Sequence, residues 1–304
     1  MFFTLSDIII YAKRAKNTPR AISEELRGWK WSDPPVLPPS SSFIGVSDIT
    51  GGLCPNGRII YLRYVEGVRE PSSPELGRGS IIHSAYSKGI ENVKKLILDG
   101  ETRGDRIRTA MADDLPILLK EISRFSNVPN YQEVAKLIWN HVSDVYSVEV
   151  DKVRGKSPFL SRDSLVSLVV PFYVEFPIDG SLLGLSSNLR ADAFIPQIPI
   201  IAEMKTRKPK EVYSLTLAGY ALAYESVYEV PIDFGLLCYV RVDEQSSIVQ
   251  PKCDFKVIND RLRQDFLEER DRRLEIKERG VDPGLPKYCE ADCPFLTTCG
   301  GRVK

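Results

Sequence analysis

Six cysteines are spread so unevenly along this 304-residue chain that they limit how it can close on itself. Cys289, Cys293 and Cys299 crowd into the tail, with Pro294 directly after the second, and close thiols with a bend-inducing proline are typical of a metal or cluster site. Three thiolates need a fourth ligand. Cys54 opens CPNGR in a similar Cys-Pro setting and is the strongest candidate, with Cys253 a lesser alternative. Cys238, inside an apolar stretch, reads as a small hydrophobe. Joining Cys54 to the tail clasps the two ends of the chain, and since loop-closure entropy grows only logarithmically with length, ligation can offset it. Zinc and iron-sulfur both accept four thiolates, so spacing does not separate them. In a reducing compartment the six are not expected to form a disulfide framework.

The compartment is read from the rest of the chain. The start, MFFTLSDIIIYAKRAK, interrupts its apolar run with Asp7 and turns polar without a small-residue cleavage site, so it fails as a secretory signal. No stretch approaches the roughly 18 uninterrupted apolar residues of a membrane span. A soluble cytoplasmic protein without membrane contact is the expectation. Apolar residues make up 43%, ample for a core. Lys+Arg and Asp+Glu are both 41, so no global field draws the chain to nucleic acid, and any basic DNA-binding surface must be local.

Residues 1–45 read as an arm, because prolines and serines in LRGWKWSDPPVLPPSSS exclude regular structure after a short amphipathic start. From Ser47 to about Val68 the spacing predicts a helix that puts Cys54, Arg58, Tyr61 and Tyr64 on one face. A second helix is expected from Gly79 to about Leu98, with Ser80 as its cap. Residues about 100–150 read as an all-helical insertion. After Pro158 the period changes, and strands are expected at 165–176, 188–195, 199–205 and 233–241, with a helix from about Val212 to Val227 between the last two. The fold class is therefore α/β, a mixed sheet flanked by helices, with the core at about 160–245. Residues 256–280 form a charged helix, read as a solvated face laced with i,i+4 pairs, within a C-terminal segment 255–304 that holds the tail cysteines.

Chemistry concentrates on two strands. Glu203 and Lys205 stand two apart in IIAEMK, so period-2 geometry aims both at one sheet face, and the short QIP connection brings Asp192 beside Glu203. Two carboxylates can hold Mg2+ or Mn2+, and an ammonium beside them suits phosphodiester hydrolysis. Such spacing is weak alone, but a carboxylate and an ammonium ending an apolar strand carry a burial cost that function explains. His83, one helical turn after Gly79, is a fitting further ligand, whereas His141 lacks acidic or cysteine context and reads as packing. Thr216 and Tyr220, one turn apart, are candidates to face the same cleft and touch substrate. No Gly-x4-Gly-Lys-Ser/Thr loop is present, so the chain carries no ATP motor of that kind.

In sequence order stand Cys54-x3-Arg58-x2-Tyr61, Gly79-x3-His83, Asp192, Glu203-x-Lys205, a helix with Tyr220, and then Cys289, Cys293 and Cys299. This order resembles the RecB-type nucleases of the PD-(D/E)XK superfamily, in the branch with an iron-sulfur cluster, and is similar to the CRISPR-associated protein four family. ELRGWKWSDPP resembles the archaeal branch called subtype-A protein one. The resemblance implies a RecB-like nuclease domain over residues 46–304 with a restriction-endonuclease-like core, and an iron-sulfur subdomain in which the C-terminal segment joins Cys54. It implies metal ligation by His83, Asp192, Glu203 and the Met204 carbonyl, catalysis by Lys205, and a four-iron four-sulfur cluster on Cys54, Cys289, Cys293 and Cys299. Arg58, Thr216 and Tyr220 become substrate contacts, although the family usually carries glutamine where Thr216 stands. The implied function is a metal-dependent exonuclease on single-stranded DNA, including strands at duplex ends, that prepares fragments for the CRISPR integrase proteins and is compatible with a homo-oligomer. The rival readings are a weakly active or non-catalytic adaptor docked to the integrase, and a nuclease of DNA repair.

Overall fold

The computed structural model describes residues 1–51, 54–71, 73–291 and 293–300; residues 301–304 of the expected domain lie outside them. The helices are α1 (Leu5–Asn17), α2 (Val46–Thr50), α3 (Arg58–Ile60), α4 (Pro74–Asp99), α5 (Gly104–Glu121), α6 (Tyr131–Lys156), α7 (Arg162–Val169), α8 (Ser214–Tyr228), α9 (Asp260–Arg279) and the short α10 (Leu296–Cys299). The strands are β1 (Tyr173–Ile178), β2 (Leu189–Ile195), β3 (Ile200–Lys205), β4 (Phe234–Asp243) and β5 (Ile248–Val257). They form one five-stranded sheet in sequence order, antiparallel except for the parallel pair β3–β4, which α8 connects. The expected mixed sheet flanked by helices is present.

Both sheet faces are covered, which explains the near-continuous apolar runs of β3 and β4. On one face Ile200, Ala202, Met204, Leu236, Cys238 and Val240 pack against the bundle of α4 to α7. On the other, Ile201, Leu237 and Tyr239 pack against α2, α8, α9 and the arm. No helix among the described residues is long and apolar enough to cross a membrane.

Several expected elements differ. LVSLVV, expected in a strand, is helical as α7, and the strand starts only at Tyr173; a short apolar run reads as strand or buried helix alike. The helix expected over 47–68 is broken. Cys54 precedes a turn through Gly57 (φ 78°), a short helix and a π-type turn follow it, and residues 52 and 53 lie outside the described set, so Cys54 does not share a helix face with Arg58. Helix α4 starts earlier than expected. Ser73, rather than Ser80, caps it by accepting from the Leu76 amide at 3.2 Å, with Pro74 in the first turn.

Strand β5 was expected as a polar connection, and its presence corrects the cysteine assignment. Register sets Cys253 directly opposite Cys238, with Cα atoms 4.0 Å apart, and the two are joined by a disulfide. Cys238 is therefore not a free hydrophobe, and Cys253 is removed as a fourth ligand. The charged helix α9 is also only partly the solvated face expected. Arg261–Asp265 and Arg279–Glu275 are exposed i,i+4 pairs, but Arg263 and Arg270 are fully buried and Arg273 nearly so. Arg270 donates to the Val36 and Leu37 carbonyls, so the helix fastens the arm.

Candidate active site

Two strands and one helix meet at Asp192. The tight β2–β3 turn pairs Ala193 with Ala202, which brings Asp192 beside Glu203, and the Met204 amide donates to Asp192 Oδ2 at 2.6 Å. From α4, His83 Nδ1 stands 3.1 Å from Asp192 Oδ1. Lys205 Nζ is 2.8 Å from Glu203 Oε1, as period-2 geometry requires. The four residues expected to form one centre are thus brought together. Gly79 allows this approach: a Cβ there would lie 3.1 Å from Thr206 Oγ1, in the loop that leaves Lys205.

The electrostatics follow from burial, Asp192 and Glu203 being 9% and 7% exposed. Burial and then the Asp192 charge raise Glu203 from 4.5 to about 7, against the pull of Lys205. Burial pushes Asp192 up as well, but His83, the Met204 amide and Lys205 hold it below its ordinary value. Burial opposes charge on His83 and on Lys205, yet the adjacent carboxylates, Asp192 for the histidine and Glu203 for the lysine, lift both above their ordinary values. Glu203 Oε2 is buried without a hydrogen-bond partner. A buried, unpaired carboxylate oxygen beside a second carboxylate calls for a proton or a cation. As arranged, no three His, Cys, Asp or Glu side chains among the described residues form a closed ligand set; His83 and Lys205 instead neutralise the two carboxylates directly.

The remaining candidates are placed differently. Tyr220, 9% exposed, donates to the Arg190 carbonyl at 2.8 Å and so props the strand that carries Asp192. Thr216 lies in the core with its hydroxyl bonded to Thr50 at 2.8 Å, which points it away from any cleft. Arg58 is held by a two-pronged pair to Asp282 and feels the charge of Cys299, so it belongs to the cysteine region. His141 packs edge-on to Phe2, as read. A groove of about 1050 Å³ lies between α8, α9 and the tail. It carries both charges, and its lining includes Tyr239, the register partner of Lys205, but none of His83, Asp192, Glu203 and Lys205.

One residue of this neighbourhood escaped the sequence reading. Glu175, on β1, has its carboxyl raised by burial and by Asp192. A charge inside VEF is the same signal that singled out IIAEMK, but the expected strand over 165–176 hid it.

Cys54, Cys289, Cys293 and Cys299 are free thiols. Burial and then the neighbouring thiols, Cys54, Cys299 and Cys289 in turn, raise Cys293, while burial raises Cys299 against the opposing Arg58 guanidinium. The other three thiols thus act electrostatically on Cys293, but among the described residues no three of them are arranged as a metal-ligand set.

The model of the family described as CRISPR-associated exonuclease Csa1 matches residues 1–302. The protein called CRISPR-associated exonuclease Csa1 of Saccharolobus solfataricus is 49% identical over 300 residues, covering 98% of this chain and 99% of that protein. A protein of the same name from Thermoproteus tenax is 30% identical over 298 residues, covering 97% and 99%. A match along nearly the whole length, arm and cysteine tail included, means that this chain belongs to the CRISPR-associated exonuclease Csa1 family.

Proposed function

We propose that the chain is a cytoplasmic, divalent-metal-dependent exonuclease acting on single-stranded DNA in CRISPR spacer acquisition, with the integrase proteins as partners. The observation that carries this reading is the convergence of His83, Asp192, Glu203 and Lys205 around a buried, unpartnered Glu203 oxygen. The chain's relatives, named as exonucleases, support it. The mixed sheet is then a restriction-endonuclease-like core. The centre fits a hard cation, because its donors are carboxylate oxygens and an imidazole and one carboxylate oxygen lacks a partner.

In that reading His83, Asp192, Glu203 and the Met204 carbonyl hold Mn2+ or Mg2+, which when bound polarises the phosphate and lowers the pKa of water. Lys205 orients the attacking water and offsets charge developing on the phosphate oxygens. Glu203, raised to about 7 in the metal-free centre, would give up its proton on binding the cation. Tyr220 acts through the backbone it fixes rather than on substrate. Thr216, standing where the resembled family has glutamine, contributes packing.

Single-stranded substrate is supported by a row of rings. Tyr173, Phe176, Phe194, Tyr224 and Tyr228 follow one another with centroids 5.9, 4.6, 4.9 and 4.5 Å apart, from the strands beside Asp192 to the end of α8. Both end rings are exposed, and unpaired bases stack on such surfaces. The four free thiols have the donor chemistry of a four-iron four-sulfur cluster, with Cys54 tying the tail to the core.

End-labelled single-stranded DNA tests the reading. With Mn2+ or Mg2+ the protein should degrade it, and Lys205→Ala or Glu203→Ala should lower the rate by about 10²-fold or more while leaving the far-ultraviolet spectrum unchanged. Cluster-loaded wild-type protein that cleaves nothing would remove the enzyme reading and favour an adaptor.

A further inference from the structure

The strand pair β1–β2 changes phase at one level. Val174 and Ala193 are partners and both face the bundle, whereas Phe176 and Ala191 are partners and both face α8. In regular strands residues two apart share a face, so the slip falls on the residue between them on each strand. Those residues are Glu175 and Asp192, which stand at the one level where the pairing is interrupted, between Val174–Ala193 and Phe176–Ala191.

Glu175 also adopts φ 47°, the left-handed region that a glutamate rarely occupies. A residue forced there stores strain, and such strain collects at functional sites. Glu175 and Asp192 are also like charges close enough to repel, since Asp192 adds to the effect of burial in raising the Glu175 carboxyl. The sequence thus accepts two unfavourable features at one residue. Glycine would relieve the first and any neutral side chain the second.

We propose that Glu175 is a third carboxylate of the cation centre, facing Asp192 from the edge strand and raising the affinity of the centre for a divalent cation. A cation offsets the repulsion between Glu175 and Asp192. The second, independent sign of such a ligand is Glu203, 7% exposed, whose Oε2 lacks a partner within the same group of acids. Because Glu175 is outside any closed ligand set as arranged, its part is to attract and position, directly or through a water, rather than to react. The inference rests on the metal-dependent reading of the centre.

Binding of Mn2+ to the full-length protein, followed by the electron paramagnetic resonance of the free ion, tests it without reference to activity. Wild type should bind and Glu203→Gln should lose the site. Glu175→Gln should weaken Mn2+ by about tenfold or more, the range set by removing a supporting group of a metal site. Glu175→Gly should weaken it similarly while melting, in chelator, no lower than wild type, because glycine accepts the left-handed backbone. A Glu175→Gln protein that binds Mn2+ as wild type does would overturn the proposal and leave the nuclease reading standing. A Glu175→Gly protein that melts lower yet binds normally would also overturn it, by showing a backbone role. Wild-type protein that binds no Mn2+ would overturn both.

Discussion

Glu203 has two conflicting demands on it. It lies beside Asp192 in the sheet, where a second negative charge is costly, and Lys205 neutralises only one of its oxygens. That conflict has a measurable pH signature in protein stripped of metal. The carboxyl titrates at 4.5 in the unfolded chain and at about 7 in the fold, so folding takes up a proton between those values. Its contribution to stability is fully present below 4.5 and is lost as pH rises through about 7. His83, raised above 6.5, acts in the same sense at slightly higher pH. Asp192, depressed below 3.8, contributes only above that value and loses it in strong acid. The melting midpoint in chelator should therefore fall between about pH 5 and 8, and Glu203→Gln, which imitates the protonated side chain, should flatten most of that slope. A slope identical in wild type and variant would remove the assignment of the signal to Glu203.

At the scale of elements, the arm shows why part of this fold was legible and part was not. The ends of β2, β3, β4 and α8 were readable to within a few residues, because short runs rich in Val, Ile, Phe and Tyr and a helical run between two of them leave a direct trace in the sequence. The docking of ELRGWKW was not, because its partners are remote. Gly28 meets α8 so closely that a Cβ there would lie 2.0 Å from the Leu222 carbonyl oxygen. The Glu225 carboxylate, fully buried, accepts from Arg27, from the Gly28 and Ile232 amides and twice from Arg263. Local pattern placed Arg263 on a solvated face, and nothing nearby in the chain reports that Glu225 is its partner. The same distance effect hid the Cys238–Cys253 pair, which only the strand register reveals. Removing one member leaves the other charge buried and unpaired, so Glu225→Ala should cost about 3–5 kcal/mol in urea unfolding. A loss below about 1 kcal/mol, the size of a surface pair, would show that the arm is not anchored there.

Across the whole molecule, a cluster on the four free cysteines would bear on how the segment after α9 is held. Among the described residues, the tail meets the rest of the protein through Asp282 with Arg58, the Gly284 carbonyl with Asn56, Glu290 with Lys210, and Phe295 buried beneath Arg63. Exposed ion pairs of this kind contribute little each. The sheet and its two apolar layers, by contrast, are complete without the tail. A cluster on Cys54, Cys289, Cys293 and Cys299 would therefore act locally, fixing the segment after α9 while the centre at Asp192 keeps its geometry. Anaerobically purified protein is expected to be brown, with iron and sulfide near four each per chain for a cubane cluster. Cys289→Ala should bleach it and expose residues 281–300 to protease, while the far-ultraviolet spectrum and Mn2+ binding at the carboxylates stay close to wild type. Stoichiometric zinc without iron would replace the cluster with a zinc site. Loss of Mn2+ binding together with the colour would show instead that the clasp and the carboxylate centre are one cooperative unit.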